Sequence, residues 1–173
     1  MKTVLLLRHA KSSWKDSTLS DHDRPLNKRG RGAAPVIGTW LIANGFVPDI
    51  ILSSTSERTR ETLRRLGLPD GPGPEISFDP DLYGAGPDTM FAILRKVDKT
   101  HDTAMIVAHE PGLSTFARTL ASEIEPGCEA AFVHFPTAAL AVLHTDILCW
   151  TGLSPGQAVF SRFVKPRDLV ADT

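Results

Sequence analysis

Arg8 and His9 end a short apolar run, Val4-Leu5-Leu6-Leu7. A guanidinium is a forked cation matched to phosphate or carboxylate. An imidazole beside it can act as a nucleophile or as a proton carrier near neutral pH. A second pair, His109-Glu110, closes the run Ala104-Met105-Ile106-Val107-Ala108 in the same way. A third run, Ile50-Ile51-Leu52, leads through Ser53-Ser54-Thr55-Ser56 to Arg58 and Arg60. Arg24 stands in Asp21-His22-Asp23-Arg24-Pro25, with a proline to stiffen the chain behind it. Singly, each of these is ordinary: a strand turns polar where it meets water, and an arginine beside an aspartate forms a local ion pair. Together, two imidazoles and several guanidiniums make an anion site, and phosphate suits it best because arginine pairs with it through two hydrogen bonds.

That convergence depends on the elements. Short apolar runs rich in β-branched residues read as buried strands of a parallel sheet. In open α/β sheets, ligands sit outside the carboxyl ends of the strands, which is where all three polar clusters fall. Arg58 and Arg60 in a first helical turn oppose the helix dipole unless an anion is bound there. The pattern predicts strands over 3–7, 50–52, 104–108, 131–135, 138–144 and 159–164, with a short one at 76–78. It predicts helices over 28–44, 57–66, 89–97 and 112–121. The helix over 28–44 starts or kinks near Pro35 and is capped by Gly45. Residues 10–26 form a long polar loop, suspect as functional, and residues 70–80 a Gly- and Pro-rich loop. Strands alternating with helices make this an α/β layered fold with a mixed sheet.

With 173 residues, 42% of them hydrophobic and 23% charged, the chain reads as one soluble domain spanning residues 1–173. Nineteen basic and 20 acidic residues leave a net charge of −1, which argues against nucleic acid or an anionic membrane as a bulk electrostatic partner. No apolar run approaches the ~20 residues of a membrane span, and the stretch before Arg8 is too short for a signal peptide. Cys128 and Cys149 match no close metal spacing and are a poor disulfide framework. They read as apolar filler in a protein of the reducing cytoplasm. No histidine pair falls at i, i+4, so no metal site is expected.

The sequence resembles the histidine phosphatase superfamily, and more closely its small bacterial phosphohistidine phosphatase branch. The resemblance rests on Leu6-Leu7-Arg8-His9-Ala10-Lys11-Ser12-Ser13-Trp14, Asp23-Arg24-Pro25-Leu26-Asn27-Lys28-Arg29-Gly30, and Leu52-Ser53-Ser54 with Arg58 and Thr62. It continues through Leu82-Tyr83, Ile106-Val107-Ala108-His109-Glu110-Pro111-Gly112-Leu113, Phe135-Pro136-Thr137-Ala138-Ala139-Leu140 and Val164-Lys165-Pro166-Arg167-Asp168-Leu169. It implies a phosphoglycerate mutase-like fold: three layers, α/β/α, around a mixed, mostly parallel sheet. It implies that His9 is the phosphorylated nucleophile, that Arg8 and Arg58 clamp the phosphoryl oxygens, that His109 is the second imidazole and that Arg24 contacts phosphate. No metal or other cofactor is implied. Arg60 matches no position of the pattern.

The departure concerns the leaving group. Larger sugar-phosphate relatives are similar in using a carboxylic acid to protonate an alkoxide. Here the candidates are Asp81, Asp88 and Glu110, and Glu110, directly after the second histidine, is the best placed. A phosphohistidine substrate relaxes the need, because imidazole is far less basic than an alkoxide. The expected substrate is therefore phosphohistidine of a protein, handled by a monomer or weak homodimer. One alternative is a general phosphomonoesterase with the same mechanism. Another is a phosphate- or phosphoprotein-binding module without turnover, against which a nucleophile argues. Ser12 is a candidate phosphate donor, as is Ser53. Trp14 either walls the pocket or packs the loop, and Trp40 reads as core. His22, His101, His134 and His144 carry no assigned role.

Overall fold

The computed structural model describes residues 1–69 and 72–170. The first strand, β1 (Lys2–Arg8), buries Val4 to Leu7 completely, each side chain contributing roughly 1.5–3 kcal/mol relative to exposure. Alternation sends Val4 and Leu6 to one face of the sheet and Leu5 and Leu7 to the other. The remaining strands are β2 (Ile50–Ser53), β3 (Glu75–Phe78), β4 (Thr103–Ala108), β5 (Ala121–Ile124), β6 (Leu140–Thr145) and β7 (Ala158–Val164). They form one seven-stranded sheet in the order β3-β2-β4-β1-β6-β7-β5. β1, β2, β3 and β4 run parallel, while β6 is antiparallel to both β1 and β7.

Helices cover both faces. On one, α3 (Pro87–Leu94) and α4 (Gly112–Leu120) pack through Met90, Phe91, Leu113 and Phe116. On the other, α1 (Lys28–Ala43) packs through Ala34, Ile37 and Leu41, next to α2 (Glu57–Arg65). This is the three-layer arrangement expected. Two short helices, α5 (Ala130–Val133) and α6 (Pro166–Leu169), complete the set.

Several boundaries differ from the sequence pattern. Residues 131–135 do not form a strand: α5 lies there. Ala131 is buried while Val133 is exposed, so burial does not alternate as a strand face would require. β5 was not expected, because Ala-Ser-Glu-Ile at a sheet edge is largely exposed and has no apolar run. Pro35 neither starts nor stops α1. That helix begins at Lys28, where the Asn27 side chain accepts from the Gly30 N–H. α3 starts earlier than expected, with Pro87 in its first turn. Residues 70 and 71 of the expected loop lie outside the described residues, and 72–74 lead into β3.

The loop after β1 is tied down by backbone and carboxylate. Asn27 N–H donates to the Lys11 carbonyl, and Ser12 bridges Leu26. Buried Glu61 accepts from the Leu26 N–H at 2.8 Å and from the Nε atoms of Arg31 and Arg65 at 2.6 and 3.0 Å. Burial alone pushes its pKa up, but these bonds outweigh that and hold it below the ordinary carboxylate range. Gly30 makes the close approach possible, since a Cβ there would sit 2.2 Å from the Lys11 carbonyl oxygen. Gly30→Ala is expected to destabilise the protein by about 1–3 kcal/mol through overpacking, read as a lower denaturant midpoint. An unchanged midpoint would show that the loop yields freely.

Candidate active site

Strand register assembles the site. Arg8 pairs with Ala108 and Ser53 with Val107, so His9 and His109 leave neighbouring parallel strands at the same level. Their rings lie 5.2 Å apart. Arg58 reaches them from the first turn of α2, and Arg24 from the loop after β1. Arg8, His9, Lys11, Ser12, Trp14, Arg24, Arg58, His109, Glu110 and Thr137 line one pocket of about 240 Å³. Of the candidates read from the sequence, Arg8, His9, Ser12, Arg24, Arg58, His109 and Glu110 are therefore brought to one place. His9, Arg24, Arg58 and His109 are only 6–8% exposed, an unusual burial for cationic and titratable side chains.

Each guanidinium is held by neighbouring groups. Arg8 donates from Nη1 to the Phe135 carbonyl at 2.7 Å. Arg58 donates from Nη1 to the Asp21 carbonyl at 2.6 Å and from Nη2 to the Asp21 carboxylate at 3.0 Å. Arg24 pairs with the other Asp21 oxygen at 3.0 Å and stacks 3.4 Å over the Trp14 ring. Arg8 Nε, Arg24 Nε and Nη1, and Arg58 Nε are buried and meet no acceptor among the described residues. Buried N–H groups are normally paired, so the three arginines that line this pocket retain donor capacity suited to an oxyanion.

The imidazoles have defined roles in the hydrogen-bond network. His9 Nδ1 lies 2.8 Å from the Ala10 carbonyl, an acceptor only, so Nδ1 carries the proton and Nε2 the lone pair. At His109, Arg58 donates to Nδ1 at 3.3 Å and Nε2 therefore donates to Ser54 Oγ at 2.8 Å. Burial, then the charges of His109, Arg58 and Arg8, push the His9 pKa down to about 3, against the pull of the Ala10 bond. Burial and Arg58 push His109 down to about 4. Both rings are neutral at pH 7.

Asp21 and Tyr83 were not singled out as chemistry from the sequence. The Tyr83 hydroxyl donates to the Asp21 carboxylate at 2.5 Å, and that bond, with Arg58 and Arg24, brings the carboxyl pKa down to about 2. Asp21 is thus the counter-charge to both arginines. Asp21 lies three residues before Arg24 in the loop, which was a usable signal; the reach from the loop to Arg58 was not. Thr62 Oγ, accepting from the Ala10 N–H at 2.9 Å, holds the backbone beside His9.

Other candidates fall outside. Ser53 is buried and donates to the Ser54 carbonyl, away from the pocket lining. Arg60 donates to the Thr55 carbonyl and stacks on Phe78. Asp81 and Asp88 are exposed and do not line the pocket. Trp40 is half-buried and stacks on Phe46 rather than lying within the core. Glu110 lines the pocket, but its carboxylate accepts from the Ser114 N–H and Oγ at 2.8 and 2.6 Å, which anchors it to the first turn of α4. Among the described residues, no group of three or more His, Cys, Asp or Glu is placed to hold a metal ion, and no helix is long and apolar enough to cross a membrane.

Comparison with known proteins bears on the family and the fold. Residues 4–83 match the family model described as histidine phosphatase superfamily (branch 1). An uncharacterized protein of Mycobacterium tuberculosis is 39% identical over 166 residues, covering 93% of this chain and all of the relative. A solved structure from Nakamurella multipartitia, provisionally named phosphohistidine phosphatase SixA, superposes with a TM-score of 0.83 at 29% identity, over 95% of this chain and 96% of that one. A protein histidine phosphatase SixA complexed with tungstate shares the fold, with a TM-score of 0.76 at 20% identity over 97% and 99% of the chains.

The buried neutral imidazoles link stability to pH. Unfolded histidine titrates near ~6.5, above the folded values for His9 and His109. Below pH 6.5 the unfolded chain binds more protons, so stability falls as pH drops toward 4. Thermal unfolding is expected at a lower temperature at pH 5 than at pH 7.5, with a smaller difference in His9→Ala. A melting temperature independent of pH over that interval would contradict the buried neutral state.

Proposed function

Because the chain belongs to the histidine phosphatase superfamily and is a phosphatase of that family, we propose that it removes phosphate from phosphohistidine of proteins through a phosphorylated His9. The observation that carries this reading is the neutral His9 ring, its tautomer set by Ala10, inside a cage of spare arginine donors. His9 Nε2 attacks phosphorus, the P–Nε2 bond forms, and the bond to the leaving nitrogen breaks as that nitrogen takes a proton from solvent water. Water then attacks phosphorus, breaks the P–Nε2 bond and releases phosphate. Arg8, Arg24 and Arg58 hold the equatorial oxygens, whose charge is the main thing catalysis must stabilise. Ser12, buried at the pocket wall, adds a hydroxyl donor. A bound dianion offsets the repulsion that Arg58 exerts on His109, so His109 gains proton affinity when substrate is present.

The substrate class follows from the leaving side. The carboxylate that lines the pocket, Glu110, is anchored to Ser114, which suits a leaving group that needs little acid assistance. The solved protein named phosphohistidine phosphatase SixA, similar over nearly the whole chain, supports the same class. A second reading, a general phosphomonoesterase, draws on the presence of Glu110 in the pocket lining beside His109.

Three outcomes are expected. Incubation with a phosphohistidine peptide and alkaline quenching traps one phosphoryl group on the peptide containing His9, and His9→Ala lowers turnover by at least ~10³-fold. A wild type that binds phosphate but releases none from any substrate would be a binding module instead. Glu110→Gln leaves turnover of phosphohistidine and para-nitrophenyl phosphate within about threefold, whereas a loss of ~10² or more on alkyl phosphates, with alkyl phosphates as the better substrates, would favour the second reading. Because His9 is already neutral well below its ordinary pKa, kcat/KM corrected for substrate ionisation holds from pH 7 to pH 5. An acid limb near ~6.5 would place His9 in an ordinary aqueous environment.

A further inference from the structure

A groove of about 310 Å³ adjoins the active-site pocket and shares Lys11 and Thr137 with it. Its rim carries Lys11, Arg29, Lys165 and Arg167. Its floor is apolar, with Val36 of α1 and Pro136 before β6. The whole chain has a net charge of −1, so this concentration of positive charge is local. Among the described residues, Asp168 is the carboxylate that answers the rim, 3.1 Å from Lys165 and 3.7 Å from Arg167. No ion pair among the described residues involves Lys11 or Arg29.

The start of α1 gives an independent sign. Its first turn holds Lys28, Arg29 and Arg31 and no acidic residue. Cations at a helix N-terminus oppose the dipole. Arg31 is compensated by Glu61, but exposed Arg29 is turned to the groove instead. A local arrangement that costs stability without structural return is characteristic of a functional surface.

We propose that this groove binds an acidic polypeptide segment flanking the phosphorylated histidine of the substrate protein. The inference rests on the phosphohistidine reading of the adjacent pocket. Carboxylates along the segment meet the cationic rim, and the apolar floor takes its aliphatic and Cβ surface. The shared Lys11 and Thr137 make the two surfaces continuous, so a segment seated in the groove leads directly to the arginine cage. Complementary charge of this kind sets partner choice and encounter rate more than chemistry at the reacting bond. The groove therefore confers selectivity among phosphoproteins and leaves small phosphates unaffected.

The test uses two fluorescein-labelled ten-residue peptides with one central histidine, one flanked by Glu and Ala, the other by Ser and Ala. Binding of the unphosphorylated forms is read by fluorescence anisotropy, and turnover is read on the phosphorylated forms. The acidic peptide is expected to bind the wild type at least tenfold more tightly, with the advantage shrinking as salt rises. Arg29→Glu/Arg167→Glu is expected to erase that advantage and raise KM for the acidic phosphopeptide about tenfold. Its kcat/KM on para-nitrophenyl phosphate should stay within twofold. Glu at position 29 suits the helix dipole, so folding is preserved, and Arg29→Ala/Arg167→Ala should show an intermediate loss. Equal binding of the two peptides, an unchanged advantage in the charge-reversed protein, or tighter binding of a short single-stranded oligonucleotide overturns the proposal. Absence of phosphohistidine turnover with para-nitrophenyl phosphate still hydrolysed would defeat the functional reading instead, while the anisotropy comparison still decides the groove.

Discussion

Positive charge buried at the end of a hydrophobic sheet is the constraint around which this protein is built. Arg24 and Arg58 are almost fully buried, as are His9 and His109, and Asp21 is the carboxylate that touches both arginines. Desolvating a cation is expensive unless it is paired and hydrogen-bonded. The fold meets that cost by three devices. Asp21 and the Phe135 carbonyl satisfy one edge of the guanidiniums, Trp14 stacks on the face of Arg24, and the histidines stay neutral. What is left unsatisfied points to an anion. Burial first, and then the neighbouring positive charge, keep the His9 ring neutral.

The scaffold around this centre is correspondingly over-determined. The parallel register of β1 and β4 sets His9 beside His109, and interior strand residues on both faces leave little freedom for a slip, since a one-residue shift would turn every buried side chain to the opposite face. The loop that delivers Arg24 and Asp21 is irregular, yet it is bound to the body by Glu61, by the Asn27 cap and by its close approach at Gly30. Precise placement from a loop requires such support. Tyr83 bonds Asp21 and packs beside Arg58 and His109, adding to the contacts around Arg58.

Much of this was readable in the chain. The apolar runs at 4–7, 50–52 and 104–108 are buried strands because nothing else hides so many consecutive large side chains, and each ends in polar residues where the strand leaves the core. The motifs around Arg8, Arg24, Arg58 and His109 were distinct enough to be picked out together. Elements with weak burial were harder to read. β5 exposes most of its side chains and left no hydrophobic trace, and α5 hid behind a β-prone Ala-Phe-Val-His-Phe segment in which Val133 is exposed. Pro35 sits within α1 because its exposed ring is accommodated on the solvent side of a helix anchored elsewhere.

The amino-acid sequence by itself determined the layered α/β class, the strand ends at which chemistry is placed, and the inventory of imidazoles and guanidiniums. These follow from local pattern, because burial period and residue type are properties of short segments. Only the tertiary structure decided which nitrogen of His9 is free, that Asp21 serves Arg24 and Arg58 together, that Glu110 is anchored to Ser114, that Arg60 turns away, and that a cationic groove runs on from the pocket. Those are relations between side chains brought close from distant parts of the chain. Their energies depend on distance, direction and burial, which exist only once the segments have packed.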